Sequence, residues 1–368
     1  MRDLILRLGR ARARLLRRLA GPGERGAIGV LVAVLIAGGA LFGIGALVID
    51  TGQLYQNRAE LQNGADAGAL AVAKSCANGT CTPAVAAQYA SANASALTGR
   101  TAAALVCGSG SLGPCTAGTG QIYDCPATPA AGTNYVDVHT STRLADGSTL
   151  LPPVFSRTLA GNGSYQGSTV LACARAGWGP ALQSTSSLAM TLSYCAWSQL
   201  TGNGTAFGTT GVIFIKGSAK PCSGPAGQNV PGGFGWLDPS PAGSCQANID
   251  LTTSTSGNDP GNNVTTPCKT ALQQDVANAT TVYLPVFTAT GGSGQGASYT
   301  LVGLAAFVLT GYQNIPGLHP DVVPSGMNGQ CTGNAPCIFG RFTQALVPVT
   351  DVIGTGTNFG AVAIKLTG

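Results

Sequence analysis

Cysteine is the residue type whose number and placement say most about the chemistry of this sequence. All 12 cysteines follow an apolar run near the N-terminus, which is expected to place them outside the cytoplasm. An even number of cysteines in that compartment favours disulfide bonds. The alternative is a metal site, which would need C-x-x-C pairs or neighbouring histidines. The sequence has no C-x-x-C and two histidines. We therefore expect disulfides, with Cys76–Cys81 and Cys331–Cys337 as candidate local pairs, and the remaining connectivity stays open.

The residue patterns give little support for enzymatic activity. The sequence lacks H-E-x-x-H, G-x-S-x-G and a Walker loop, and its acidic residues are few and scattered. His139 falls on the polar side of an alternating strand pattern, and His319 lies between prolines in a loop. We expect both imidazoles at the surface rather than acting as general bases. The sequence predicts a protein that is not an enzyme, with no catalytic residues, cofactor or metal.

The positive charge of the chain is concentrated in its first 26 residues. Eight of its 19 basic residues lie there, whereas the chain from Asp50 onward is close to neutral. A basic arm can bind nucleic acid, but this one directly precedes a long apolar run, where it indicates membrane orientation instead. We therefore expect no nucleic-acid partner.

Residues 27–49 form an apolar run that contains no charge and no proline. As a helix it would span about 34 Å, enough for a hydrocarbon core of about 30 Å. The arginines before it predict a cytoplasmic N-terminus, with nearly all of the chain outside. A cleaved signal peptide would have a shorter apolar region and a small-residue cleavage site, so we predict a retained single-pass anchor. Gly39 and Gly43 form a G-x-x-x-G that could support a homodimer through the anchor.

The helical pattern continues beyond the membrane to about residue 78. One stripe at a 3.6-residue period carries mostly small side chains, at Leu54, Leu61, Ala65, Gly68 and Val72. This stripe is a possible helix-packing face. It could pack on the protein's own β region or on a partner, and we expect it to bind a partner.

The same segment resembles a known family. Three features carry the resemblance: Arg25-Gly26 before the apolar run, an Asp-x-Gly-x-x-Tyr at Asp50, and a Leu-Gln-x-x-Ala-Asp-Ala-x-Ala-Leu-Ala beginning at Leu61. They are similar to the N-terminal segment of tight-adherence (Tad) Flp-pilus assembly proteins of the TadE/TadG-like kind, actinobacterial type. The resemblance implies a membrane-anchored cell-envelope protein whose partners are pilus-assembly or other envelope proteins, and it implies no catalytic residues.

The chain after the helix alternates short β-like runs with Gly, Pro, Ser and Asn. This pattern predicts a mainly antiparallel, disulfide-containing β region outside the membrane. The predicted strands are 135–140, 168–174, 211–216, 281–287, 298–312, 338–347 and 359–366. Pro152-Pro153 and residues 254–267 are predicted loops. The predicted organisation is a basic cytoplasmic arm, a transmembrane helix, a membrane-proximal helix and two β-rich outer regions, at residues 1–26, 27–49, 50–78, 79–177 and 178–368.

Two functions fit these observations. The first is a non-enzymatic envelope protein acting in the assembly or anchoring of a pilus or related surface structure. The alternative is a membrane-anchored adhesin or ligand-binding module, in which Trp178, Trp197 and Trp236 would stack on sugars. Each tryptophan lies near a cysteine or a Gly/Pro turn, so we expect core packing instead.

Overall fold

The computed structural model describes most of the chain that follows the N-terminal basic arm. It describes residues 23–93, 101–115, 125, 127, 129, 132–143, 150–151, 168–252, 255–257, 264–292, 298–348 and 352–367. Residues 1–22 of the predicted arm and the predicted Pro152-Pro153 loop lie outside these ranges.

One helix, α1, runs without a break through Gly23–Ala77, a length of 55 residues. Its length and composition suffice to cross a membrane, and no other helix in the described ranges meets that test. The predicted continuous helix is therefore confirmed. The chain leaves α1 through Gly79, whose φ of +83° is a conformation that glycine adopts without a Cβ clash.

The other α-helices of the described ranges are short and were not predicted. They are α2 at Val85–Asn93, α3 at Tyr194–Thr201 and α4 at Thr266–Asn278. The predicted loop at 254–267 needs correction, because Thr255–Gly257 is a strand and α4 begins at its C-terminal end. A proline in the first turn of α4 is compatible with a helix start, where its missing N–H costs nothing.

The remainder is mainly β, as predicted, and all seven predicted runs contain strands. In chain order the strands are β1 (Thr101–Gly108), β2 (Asn134–Thr142), β3 (Leu150–Leu151), β4 (Ser168–Thr169), β5 (Leu171–Pro180), β6 (Gln183–Ser186), β7 (Met190–Ser193), β8 (Gly211–Phe214), β9 (Cys222–Ser223), β10 (Asn229–Val230), β11 (Phe234–Trp236), β12 (Ala247–Asp250), β13 (Thr255–Gly257), β14 (Thr281–Gly291), β15 (Ser298–Gln313), β16 (Cys337–Thr343), β17 (Ala345–Leu346) and β18 (Ala361–Leu366).

The first sheet has the strand order β1-β2-β5-β18-β17 and lies against α1. Its strands β1, β2, β5 and β18 are antiparallel neighbours. The predicted boundary between 79–177 and 178–368 falls inside β5, and Leu366 of the C-terminal β18 pairs opposite Ala176. Hydrogen bonding thus joins residues from both predicted outer regions in one sheet.

The second sheet has the order β11-β7-β14-β15-β16-β8, with β13 added beside β15. Its pairs are antiparallel except β7 with β14. The two outer strands also meet, because Ile215, just after β8, bridges Phe234 of β11 in parallel, and Lys216 N–H donates to the Phe234 carbonyl at 2.7 Å. The sheet therefore curls around a large apolar core that includes Phe287 and Tyr299.

Six disulfides are present: one joins the end of α1 to the turn that follows it, and the other five lie in the β region. Both local pairs suggested by the sequence are among them. The pairs are Cys76–Cys81, Cys107–Cys115, Cys125–Cys173, Cys195–Cys222, Cys245–Cys268 and Cys331–Cys337. No cysteine is left free.

Candidate functional site

The predicted packing face of α1 is covered by the protein itself. Leu61, Ala65, Gly68 and Val72 are buried, and Leu54 is half-buried. Ala65 and Val72 share one apolar cluster with residues of β2, β5, β18 and α2, whereas Leu61 packs with the beginning of β5. The stripe therefore lies against other elements of the same chain.

The small residues of this face let the backbone of α2 approach α1 closely. A Cβ atom at Gly64 would stand 2.7 Å from the Ala90 carbonyl oxygen of α2, and one at Gly68 would stand 3.2 Å from the Ala86 carbonyl oxygen. The expectation that this stripe binds a partner is wrong, because α2 and the first sheet occupy it. Periodicity identified the buried face of the helix but carried no information about what would cover it.

In addition to the apolar contacts, two hydrogen bonds hold α1 against the first sheet. The Thr140 hydroxyl donates to the Leu61 carbonyl at 3.0 Å, and the Gln62 side-chain amide donates to the Cys173 carbonyl at 3.1 Å. Both link α1 to the central strands β2 and β5. The membrane-proximal helix and the first sheet thus form one packed unit.

The opposite side of α1 remains open to solvent beyond the membrane. Tyr55 is 76% exposed and Leu70 is 37% exposed. Gln56, Asn63 and Lys74 on the same side are also exposed. We call these five residues the outward face of α1. An exposed aromatic one turn after the membrane exit suits the interfacial position that tyrosine favours.

On β2, polar side chains are buried where the sequence suggested a surface. Val136 and Val138 pack in the α1 cluster, as the alternation predicted. Asp137 and His139 lie on the other side of the strand, yet they are only 2% and 6% exposed. The expectation that His139 is a surface residue is therefore wrong. Two disulfides, Cys107–Cys115 and Cys125–Cys173, lie over this side of the sheet.

Arg175 of β5 neutralises the buried carboxylate. It faces Asp137 in the strand register, and its Nε and Nη2 atoms each donate to one carboxylate oxygen at 2.6 Å. Its Nη1 donates to the Ala127 carbonyl, and the guanidinium lies 4.8 Å from the centre of the Tyr135 ring. This bidentate geometry is the strong form of an arginine–carboxylate contact.

Next to this ion pair, His139 contacts sulfur. Its ring nitrogens lie 3.5 Å from Cys125 Sγ and 3.8 Å from Cys107 Sγ. Burial lowers the pKa of His139 below its ordinary 6.5; Asp137 opposes this shift and Arg175 adds to it. The imidazole is therefore a buried neutral group at neutral pH.

Two groups of side chains that share His139 have ligand atoms within 4.8 Å of one another, a spacing that could hold a metal ion. One group also contains Cys107, Cys115 and Asp137, and the other contains Cys125 and Cys173. However, the four sulfurs are joined in two disulfides, so they offer no thiolate ligand. Asp137 is already engaged by Arg175. In the oxidised protein this cluster has the composition of a structural core rather than of a metal centre.

The remaining sequence candidates are separated from this cluster. His319 is exposed in a loop. Trp178, Trp197 and Trp236 are 9%, 2% and 3% exposed, and each belongs to an apolar core. None of the three indole rings is therefore presented as a platform for a sugar.

Comparison with known proteins identifies one part of the chain. Residues 26–75 match the family model Tad, described as "Putative Flp pilus-assembly TadE/G-like". No curated protein and no solved structure matches the chain. The match begins at the apolar run and ends two residues before the end of α1. Over that segment the resemblance seen in the sequence is confirmed: residues 26–75 of this chain are similar to the Tad, TadE/G-like family.

Proposed function

We propose that this protein is a non-enzymatic component of the cell envelope that acts in assembling or anchoring a Flp-type pilus or a related surface structure. The family match over residues 26–75 carries the proposal. It coincides with α1, which joins a membrane-spanning run to a packed outer region without an intervening loop. Such a helix is suited to holding an assembly factor at the membrane surface.

The proposed topology places the N-terminus in the cytoplasm and the β region outside. The eight arginines among the first 25 residues support this orientation. Six disulfides support it independently, because disulfides form and persist outside the cytoplasm.

The absence of enzymatic activity is part of the proposal. The buried polar cluster holds His139 away from solvent, and its carboxylate is engaged by arginine. A general base must reach the proton of a substrate, and this imidazole is covered by disulfides. The adhesin alternative is not proposed, since the tryptophans that motivated it are buried.

The outward face of α1 and the anchor are the proposed contact surfaces for envelope partners. The inward stripe is occupied, so a partner helix would meet the side that carries Tyr55, Asn63 and Leu70. Within the anchor, Gly39 and Gly43 have open space beside them, which would allow a second copy to approach closely.

Site-specific photocrosslinking in the native membrane tests this proposal. A crosslinker at Asn63 should capture a pilus-assembly or pilus-structural protein, because Asn63 lies on the outward face. A crosslinker at exposed Thr332, far along the chain in the second β region, is the matched control. Capture of the same proteins in equal amount at both positions, or of none from the pilus system, would count against the proposal.

Orientation is tested separately. Protease added to intact spheroplasts should digest the β region and leave the arginine arm protected. A mature N-terminus beyond Ile49, or an arm that is cleaved from outside, would contradict the proposed topology.

A further inference from the structure

The outer region is joined to the membrane run without a flexible segment. Leu54, about one helical turn beyond Asp50, already packs against the cluster of Leu61, Val170 and Ala172, and the last two lie at the beginning of β5. Because α1 is unbroken, the height of these residues above the membrane follows from the helix rise. One turn corresponds to about 5 Å, and the Leu61 contact lies about 17 Å beyond Asp50.

Strand direction shows which end of the first sheet faces the membrane. Thr140 of β2 bonds to Leu61, whereas Val138 contacts Gly68, which is further from the membrane. Hence β2 approaches the membrane toward Thr142, and its antiparallel neighbour β5 begins at that end. We call this end, formed by residues 142–143 and 168–171, the membrane-proximal edge.

The membrane-proximal edge lies close to the lipid headgroup layer. Thr142 is two strand residues, about 7 Å, nearer the membrane than Thr140, so it stands about 10 Å beyond Asp50. A bilayer is about 40–45 Å thick with headgroups and about 30 Å without them, so each headgroup layer is about 5–8 Å deep. Leu54 lies within that distance of the apolar run, and it packs against the cluster that contains Val170. Arg143, directly after Thr142, is exposed and provides a cation at the same edge.

We propose that the membrane-proximal edge rests on the headgroups of the outer leaflet, with Arg143 contacting lipid phosphate. The outer region would then contact the bilayer surface directly, in addition to being held there by the anchor. Its consequence is orientation: with the chain held at both the anchor and the edge, the tilt of α1 relative to the membrane is restricted. This inference rests on the membrane anchor of the proposed function but not on any pilus partner.

Fluorescence quenching in vesicles tests the contact on the full chain. The oxidised protein is reconstituted in phosphatidylcholine–phosphatidylglycerol vesicles that contain a lipid with a nitroxide on its headgroup. One variant carries a fluorophore on Thr169→Cys at the edge; the control carries it on Asn134→Cys, which is exposed at the other end of β2. That control position is about 26 Å further along the strand. We expect strong quenching at residue 169 and little at residue 134.

An insertion variant makes the test specific. Seven helix-forming residues inserted between Thr51 and Gly52 would move the sheet about 10 Å further from the membrane. Because seven residues make nearly two full turns, the sheet would stay on almost the same side of the helix. Quenching at residue 169 should then fall to the level of residue 134. In the chain without the insertion, Arg143→Gln should reduce the increase in quenching that follows a higher phosphatidylglycerol fraction.

The outcomes separate this inference from the proposed function. If the protein floats with the vesicles but quenching is equal at both positions, or survives the insertion, the edge does not rest on lipid and the inference fails alone. If the protein does not float with the vesicles, the membrane anchor fails and the inference fails with it. Crosslinking to pilus proteins is measured independently of either result.

Discussion

A Cβ atom at Gly68 of α1 would lie 3.3 Å from Cγ1 of Val138 on β2. Helix α1 and strand β2 of the first sheet therefore pack so closely here that a Cβ atom at this position would require its neighbour to shift. This contact, made inside one chain, occupies the surface that the sequence had suggested for a partner.

Gly68→Leu should destabilise the outer region by about 1–3 kcal/mol, because the added side chain overpacks the contact with α2 and β2. Gly52→Leu is the matched control, since a Cβ at Gly52 meets nothing within 4 Å. Limited proteolysis and thermal unfolding of both variants measure the difference. Equal protease resistance of the two proteins would show that the helix does not pack on the sheet as described.

Arg175→Met should destabilise the protein by about 3–5 kcal/mol, because it leaves the Asp137 carboxylate buried without a counter-charge. Replacing both residues, as Asp137→Leu with Arg175→Met, removes the unpaired charge, so the double variant should be more stable than Arg175→Met alone. Urea unfolding of the unmodified protein, Arg175→Met, Asp137→Leu and the double variant gives the four free energies that the comparison needs. Strictly additive losses would mean that the two side chains are not coupled.

Asp275 of α4 predicts a pH dependence of stability. It is buried, one carboxylate oxygen has no hydrogen-bond partner, and burial raises its pKa from 3.8 to about 6, opposed by a hydrogen bond from Ser187. The folded state favours the protonated form of Asp275, so protonation of this carboxyl group stabilises the fold. That stabilisation is fully present below about pH 3.8 and is lost as the pH rises through about 6.

Asp275→Asn should therefore raise the free energy of unfolding near neutral pH by up to about 3 kcal/mol and leave it nearly unchanged near pH 4. Asp238→Asn, which replaces an exposed carboxylate, is the control. Denaturant unfolding across this pH range gives both profiles. An Asp275→Asn profile parallel to that of the unmodified protein would refute the assignment.

The disulfides should differ in what they contribute. Cys125–Cys173 spans 48 residues and Cys331–Cys337 spans 6. Loop-closure entropy then predicts a loss of about 4 kcal/mol when the first pair is replaced by alanines and about 2 kcal/mol for the second. Thermal unfolding of the two double-alanine variants compares them. A larger loss for the short loop would contradict the entropic account.

Much of the architecture followed from the sequence alone. The uninterrupted apolar run and the 3.6-residue stripe determined a single long helix, because both signals are local and span many turns. Alternation in β2 correctly separated Val136 and Val138 from Asp137 and His139. Even cysteine number and the absence of metal-type spacing indicated disulfides, and the short separations suggested two of the six pairs. The family resemblance came from the same local segment.

Only the tertiary structure shows what covers each face of α1 and of β2. A period shows that one side of α1 is apolar, but only the return of β2 and β5 to that side shows that the chain covers it itself. The polar side of β2 was assigned to solvent, since nothing local indicated that disulfides and Arg175 would bury it. The pairing of β18 with β5 joins residues nearly two hundred positions apart. Such contacts depend on long-range packing, which no window of neighbouring residues encodes.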